Sequence, residues 1–441
     1  MSSCYDFTVS VLGKSTVKSP IDLSRERQEG IAHYVNDEDR IVYHLIINSD
    51  SSKKAFKKKE MLERAGPRET IYFDPSKVRA AIVTCGGLCP GLNDVIRAIF
   101  MCLWYRYGVK RVCGIRFGYC GFLPEYGLDT IELNPGIVED IHRKGGTLLG
   151  SSRGSGGSTS EIVNSIERMN INVLFTIGGD GTQRGSLDIA EEAEKRGIKL
   201  AVVGIPKTID NDLSFIDKSF GFETAVSEAT KAIAAAHVEA HDAINGVGIV
   251  KVMGRNSGFI AAHTALAINE VNFVLIPEVP FDLDGENGLV HHLRKRLKSR
   301  NHAVILVAEG AGQQLMETKL ETDASGNKKL GDIGNFLKTE IHHYFKRENM
   351  EINLKYIDPS YIIRSAPANP NDSIYCARLG HDAAHAAMAG KTKLLISLIN
   401  NHFVHLPIRM AVSEKNCVDP ASSLWRDVVE ATGQPLLMQN R

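Results

Sequence analysis

Two short stretches of the chain carry groups that chemistry on phosphate requires. Ile177–Gly185 reads IGGDGTQRG, and Pro206–Asp212 reads PKTIDND. In the first, Gly178, Gly179, Gly181 and Gly185 let backbone amides come close to an anion. Amides at the start of a helix near Thr182 would point at that anion, and Asp180 could hold a magnesium ion that bridges phosphates. In the second, Lys207, Thr208, Asp210 and Asp212 crowd into one segment. Phosphoryl transfer needs an anchored donor, a cation to spread charge and a base beside the acceptor hydroxyl. PKTIDND could supply the cation and the base together.

Three further stretches have the same flavour. Gly86 and Gly87 are followed by Pro90, Gly91 and Asn93, with Arg97 one helical turn on. Met253, Gly254 and Arg255 open MGRNSG, and an arginine fork suits phosphate. Ser151, Ser152 and Arg153 precede GSGGS, a composition that suits either a closing loop or a plain linker. Each motif taken singly has a bland reading: a Gly-rich strand-to-helix turn, a tight turn or a surface arginine is common in any protein. The pairs His237/His241 and His381/His385 have the i, i+4 spacing of a zinc helix. They lack the HExxH glutamate and a third ligand, so they read as structural.

These motifs need elements to position them. Short apolar runs at 80–85, 173–179, 200–206, 247–254, 273–278, 303–310 and 393–399 read as buried strands. Helix-like segments alternate with them at 92–104, 186–196, 223–241, 257–267, 288–298, 335–346 and 373–388. This alternation predicts an α/β fold of mostly parallel sheets covered by helices. Ligands of such sheets sit beyond the carboxyl ends of the strands. Four strand ends carry the motifs above, and they are expected to converge on one cleft. Residues 1–76 are polar and weakly periodic and read as an extension packed on the main body. Their KKAFKKK run at 53–59 reads as a solvated face.

The 441 residues are 43% hydrophobic, enough for two or three domains. Lys plus Arg and Asp plus Glu both count 52, so no overall field favours nucleic acid or an anionic membrane. The eight cysteines form neither a dense framework nor a paired CxxC array, and Cys85 and Cys89 read as small buried fillers. No apolar run reaches the roughly 18 residues of a membrane span, and neither end carries a targeting signal, which favours the cytoplasm.

With GGLCPGLN, LGSSRG, GGDGT, PKTIDND, MGRNSG, AEGAG and PSYIIRS in this order, the sequence resembles the 6-phosphofructokinase family from about Val78 to about residue 410. The resemblance implies two Rossmann-like three-layer domains with the active site in the cleft between them. It implies an N-terminal extension at 1–76, a nucleotide-binding domain at 77–221 plus about 364–410, and a sugar-phosphate domain at 222–363 plus the C-terminal tail. It also implies magnesium-assisted phosphoryl transfer to O1 of fructose 6-phosphate, a committed step of glycolysis, in a dimer or tetramer under allosteric control.

Carried residue by residue, Asp210 matches the catalytic base, Thr208 and Asp212 its neighbours, and Asp180 the magnesium ligand. Gly86, Arg153, Gly181, Thr182 and Gly185 match positions on the nucleotide side. Met253, Gly254, Arg255 and Glu309 match sugar contacts, and Arg364 a 6-phosphate ligand. Tyr361 and Lys355 stand where bacterial members have histidine and arginine, and Gly246 at the approximate position of a further bacterial arginine.

The donor turns on two positions. ATP-using bacterial members have glycine at both; pyrophosphate-using members have aspartate and lysine. This chain has Gly181 and Lys207. An aspartate at 181 would put bulk and charge where a nucleotide's α-phosphate lies, so glycine points to ATP. The mixture resembles the ATP-dependent branch that lies close in sequence to the pyrophosphate enzymes. Pyrophosphate as donor, or a GGDGT kinase acting on NAD or a lipid, are the alternatives.

Overall fold

The computed structural model describes residues 5–24, 30–44, 56–154, 158–316 and 329–440. Residues 53–55 of the lysine run and 155–157 of the serine and glycine loop lie outside the described residues. The chain divides into two compact units. The first comprises Met1–Thr208, Leu213–Gly221 and Pro367–Lys415; the second comprises Ile209–Asp212, Phe222–Ala366 and Asn416–Arg441.

The first unit is built on a nine-stranded sheet, counted among the described residues. Its centre is parallel: Leu394–Ile399, Ala201–Pro206, Val173–Gly178, Arg79–Thr84 and Arg111–Ile115 lie side by side in that order. Val173 is in register with both Ala80 and Ala201, so the strands end level with one another. Such strands are buried on both faces, which is why they read as unbroken apolar runs. One face is covered by helices Thr159–Arg168 and Asp180–Lys195, through a core that includes Ile162, Ile166, Leu174 and Ile189. Helices Leu92–Met101 and Pro370–Met388 pack against each other elsewhere in the unit, with Gly380 against Ala98.

The polar N-terminal residues do more than pack on this body. Met61–Arg64 pairs antiparallel with His402–Pro407, and Arg40–Val42 pairs with Met61–Arg64, so they extend the sheet itself. Arg68, 3% exposed, locks this corner: it donates to Asp37 at 2.7 Å and to Glu63 at 3.0 Å. Glu63 also holds Lys391 and accepts from His405 at 2.9 Å. Despite burial, these partners keep the Glu63 carboxyl ionised far below the usual range, while burial drives His405 down to about 4.

The second unit holds, among the described residues, a four-stranded parallel sheet in the order Phe273–Leu275, His302–Ala308, Gly246–Val252 and Asn353–Ile357. Helices Phe222–His241, Phe259–Ile268 and Ser423–Thr432 bury Ala229, Ile233, Ile260 and Trp425 in one core. Leu289–Arg300 and Ile333–Arg347 bury Leu293, Leu297, Leu337 and Ile341 in another. The two cores make the three-layer arrangement of a Rossmann-like fold.

Candidate active site

In the first unit the carboxyl ends of three adjacent strands bring the phosphate-type turns together. After Arg79–Thr84, Gly86 takes φ +86°, a left-handed conformation that favours glycine, and its N–H donates to Ser152 O at 2.8 Å. Ser151 Oγ donates back to Gly86 O at 2.6 Å, so the Ser151–Arg153 stretch is tied to this turn. A methyl group on Gly87 would lie 3.7 Å from an Arg153 Nη, which places the arginine over the same turn.

After Val173–Gly178 the helix Asp180–Lys195 begins, two residues earlier than the sequence suggests. Thr182 sits so close to Gly178 that a Cβ there would meet Thr182 Oγ1 at 2.2 Å. Gly178 is thus required by the protein's own packing. After Ala201–Pro206, the Lys207 N–H donates to Gly178 O at 3.0 Å, joining the two strand ends. Gln183, unremarked in the sequence, ties them again: its Nε2 donates to Gly178 O at 3.0 Å and Ile205 O at 3.2 Å.

The two donor-determining positions differ in their freedom. Lys207 is buried, and its Nζ donates to Gly87 O at 2.7 Å, so in this structure the ammonium closes the Gly86–Gly87 turn. Gly181 is exposed, and a Cβ there would meet nothing within 4 Å. The fold itself would therefore accept a larger residue at 181, and any exclusion comes from the bound donor. Gly185 is another matter. A Cβ would approach the Tyr119 ring at 2.9 Å, and Tyr119 donates to Thr182 O at 2.7 Å, so Gly185 makes room for a buried tyrosine that holds the turn.

Asp180 lies in the first helical turn, with its carboxylate 3.2 Å from Arg184 Nε. Among the described residues no group of three or more acidic, histidine or cysteine side chains could cage a metal ion. A single carboxylate still fits magnesium, which keeps several waters and takes the rest of its ligands from substrate phosphates.

The second unit holds the carboxyl group expected to act as the base. Asp210 is half-buried; its Oδ2 accepts from the Arg255 N–H at 3.4 Å, while its Oδ1 is out of solvent and accepts no hydrogen bond. Ser257 Oγ anchors the backbone by donating to Asp210 O at 2.9 Å. Burial raises the Asp210 pKa from its ordinary 3.8 to about 7, with the carboxylates of Asp212 and Glu309 adding to the rise; Arg364 pulls it back down. Four residues expected from the sequence therefore act on one carboxyl group: Arg255 by a hydrogen bond, and Asp212, Glu309 and Arg364 through their charges.

Met253 is buried, and Gly254 adopts φ +130°, where a Cβ would lie 2.5 Å from Ser257 O. Its carbonyl accepts from the Gly310 N–H at 3.0 Å, and the Glu309 N–H donates to Val252 O at 2.9 Å, so the two strand ends are stitched together. Glu278, also missed in the sequence, accepts from Gly258 N at 2.9 Å and Val418 N at 2.8 Å behind them.

Tyr361 stands apart: it lies on helix Ser360–Ser365 with Arg364 but is 82% exposed. Lys355 is exposed on Asn353–Ile357, in register with Gly248. At Gly246 a Cβ would strike Ala240 O at 2.0 Å, so no arginine can stand there with this backbone. The histidine pairs have neighbours of their own. Tyr107 OH lies 2.8 Å from His385 Nδ1, and His237 and His241 cluster with His302.

Comparison with known proteins finds likenesses in sequence and in fold. Residues 79–387 match the family model described as phosphofructokinase. A Borreliella burgdorferi protein named ATP-dependent 6-phosphofructokinase is 56% identical over 99% of this chain and 98% of its own length. One of the same name from Amycolatopsis methanolica is 47% identical over 98% and 95%. A crystal structure of pyrophosphate-dependent phosphofructokinase from Marinobacter aquaeolei matches with a TM-score of 0.65 at 20% identity, covering 80% of this chain and 91% of that one. That last likeness concerns the fold alone.

Proposed function

The chain belongs to the phosphofructokinase family, and from that premise we propose how its residues carry out the reaction. The activity is transfer of a phosphoryl group from ATP to O1 of fructose 6-phosphate, giving fructose 1,6-bisphosphate and ADP. The observation that carries the residue roles is the Asp210 carboxyl, which has one oxygen free of hydrogen bonds and a pKa of about 7. A base with a pKa near the working pH combines a large ionised fraction with enough basicity to take the proton of a sugar hydroxyl.

Asp210 accepts the O1 proton as O1 attacks the donor's terminal phosphorus. Thr208 and Lys207 stand at the transferred group, and Asp212 supports the base through its charge. Arg255 donates to the transferring phosphoryl group, Arg364 holds the 6-phosphate, and Met253, Gly254 and Glu309 shape the sugar site. Lys355 and Tyr361 complete the 6-phosphate contacts by side-chain movement from their exposed positions. On the donor side, Gly86, Arg153, Gly178, Gly179, Gly181 and Thr182 cradle the ATP phosphates, while Gly185 serves by admitting Tyr119. Magnesium held by Asp180 would neutralise charge on the donor phosphates.

Gly181 supports ATP as donor, because the space beside it is open. The relatives' names support a glycolytic enzyme, which we place in the cytoplasm as a homo-oligomer under allosteric control. No helix among the described residues is long and apolar enough to cross a membrane.

A coupled aldolase assay with fructose 6-phosphate and either ATP or pyrophosphate tests the donor. Turnover with ATP is expected, and turnover with pyrophosphate alone would overturn the reading. Gly181→Asp should keep the wild-type melting temperature, because nothing in the protein crowds that position, yet lose use of ATP. Unchanged ATP kinetics would refute the role given to Gly181.

A further inference from the structure

Helix Pro370–Met388 turns four polar residues toward a cavity of about 520 Å³ in the first unit: Arg378, His381, Asp382 and His385. Their spacing of three, four and seven puts them on one helical face. The opposite walls come from Arg64–Pro67, at the end of a strand contributed by the N-terminal residues, and from His402 and Phe403. None of the residues assigned to catalysis lines this space. Its volume is that of a small-molecule pocket and far more than one simple anion fills.

The charges here are available. Arg378 lies over the Phe403 ring at 4.2 Å and, among the described residues, forms no ion pair within 4 Å, although its charge acts on the Asp382 carboxyl one helical turn along. Arg64 has only a loose pairing with Asp39 at 3.4 Å, both side chains being more than a third exposed. An ion pair of that kind holds its arginine weakly. The strand that carries Arg64 is stiffened from behind by the Arg68, Glu63 and His405 cluster, so the wall is already built.

Against these cations stand one carboxyl group and two imidazoles on the helix. Burial pushes Asp382 up to about 7, and burial holds His385 at about 3 and His381 below its usual range. Burial thus favours the neutral imidazoles, and the group on this helix face that offsets the arginine charge is Asp382, as it ionises. Arg68 and Arg106 add positive charge from the elements packed behind, and His402 faces the cavity from the sheet. A neighbouring cavity of about 390 Å³ shares Pro67, His381 and His385 and is walled by apolar groups that include Ile21, Leu23, Met101 and Tyr105.

We propose that this pair of cavities is a binding site for a small phosphate ester, with the phosphate on Arg64 and Arg378 and the organic part in the apolar cavity. Paired guanidinium forks match a tetrahedral oxyanion. Because Arg64 belongs to the N-terminal segment and Arg378 to the helix, the ligand fastens one to the other. The assignment is independent of the reaction proposed above.

Calorimetric titration of the full chain tests it with three probes: sulfate, inorganic phosphate and phenyl phosphate. Phenyl phosphate should bind about tenfold tighter than inorganic phosphate, because its ring buries apolar surface. Arg378→Ala should weaken all three about tenfold or more and leave turnover unchanged. Sulfate keeps its charge across the range, and should bind more tightly at about pH 6 than at about pH 8, since Asp382 is neutral below its pKa. Asp382→Asn should erase that pH preference while still binding. Wild-type affinity in Arg378→Ala for all three probes would place the anions elsewhere and overturn the proposal. Equal affinity for phenyl phosphate and inorganic phosphate would overturn the part given to the apolar cavity.

Discussion

The two units treat their polar groups in opposite ways. At the strand ends of the first, the donors are tied to backbone carbonyls inside the protein: Lys207 on Gly87, Ser151 on Gly86, Gln183 Nε2 on two carbonyls and Tyr119 on Thr182, with Gln183 Oε1 the one atom of this set left without a partner. In the second, the central carboxyl has an oxygen with no partner and two further carboxylates acting on it. The contrast follows from the chemistry. A phosphate cradle must be rigid before its ligand arrives, whereas a base must be left unsatisfied so that it takes a proton. In the role proposed for Asp210, satisfying that oxygen would stabilise the fold and remove the base.

Breaking the unsatisfied side should cost the most activity. Asp210→Asn removes the base and should lower kcat by roughly 10² to 10⁴ with little change in the KM for fructose 6-phosphate. The same variant should melt higher at alkaline pH. The native Asp210 pKa lies above its ordinary value of 3.8, so the folded protein binds the extra proton between about 4 and about 7. Stability is then lost as pH rises through that window, and the charged group is a cost above it. Asparagine carries no such charge, so a lower melting temperature at alkaline pH would contradict the assignment.

Arg364→Ala should raise the KM for fructose 6-phosphate by roughly ten to a hundredfold, the worth of a lost charge-assisted contact. It should also move the acid limb of the activity profile to higher pH, because Arg364 holds the Asp210 pKa down. A raised KM with an unmoved limb would separate phosphate binding from the base.

The satisfied side should break by misfolding instead of by lost chemistry. Gly185→Ala would press on Tyr119 and should cost about 1 to 3 kcal/mol of stability, read as a lower melting temperature. Unchanged stability would show that the turn has slack.

How much of this could be read from the sequence depended on whether one segment or several determine a feature. The runs at 80–85, 173–179 and 200–206 announced their strands because both faces are buried. Helix Thr159–Arg168 went unread beside its serine and glycine loop, although its Ser158 and Glu161 form a capping box that could have revealed it. The edge strands Arg40–Val42 and Met61–Arg64 are too short to show a period, so residues 1–76 looked like an appendage.

Asp210 could be picked out by its motif. Its unpaired oxygen and raised pKa could not, since they follow first from burial in the folded unit and then from charges that include Glu309, which raises the pKa, and Arg364, which lowers it, 99 and 154 positions away in the chain. Gly185 shows the reverse case. Its place in a Gly-rich motif suggests contact with the nucleotide, and only the three-dimensional approach of Tyr119 reveals a packing reason for the missing side chain.

The central claim is that Asp210 is a base tuned by its surroundings, and the pH dependence of kcat/KM for fructose 6-phosphate tests it most directly. In the wild type the profile should rise with an apparent pKa of about 7, and Asp210→Asn should lose that limb along with most of its rate. A limb at the ordinary carboxylate value, or one that persists unchanged in Asp210→Asn, would contradict the account.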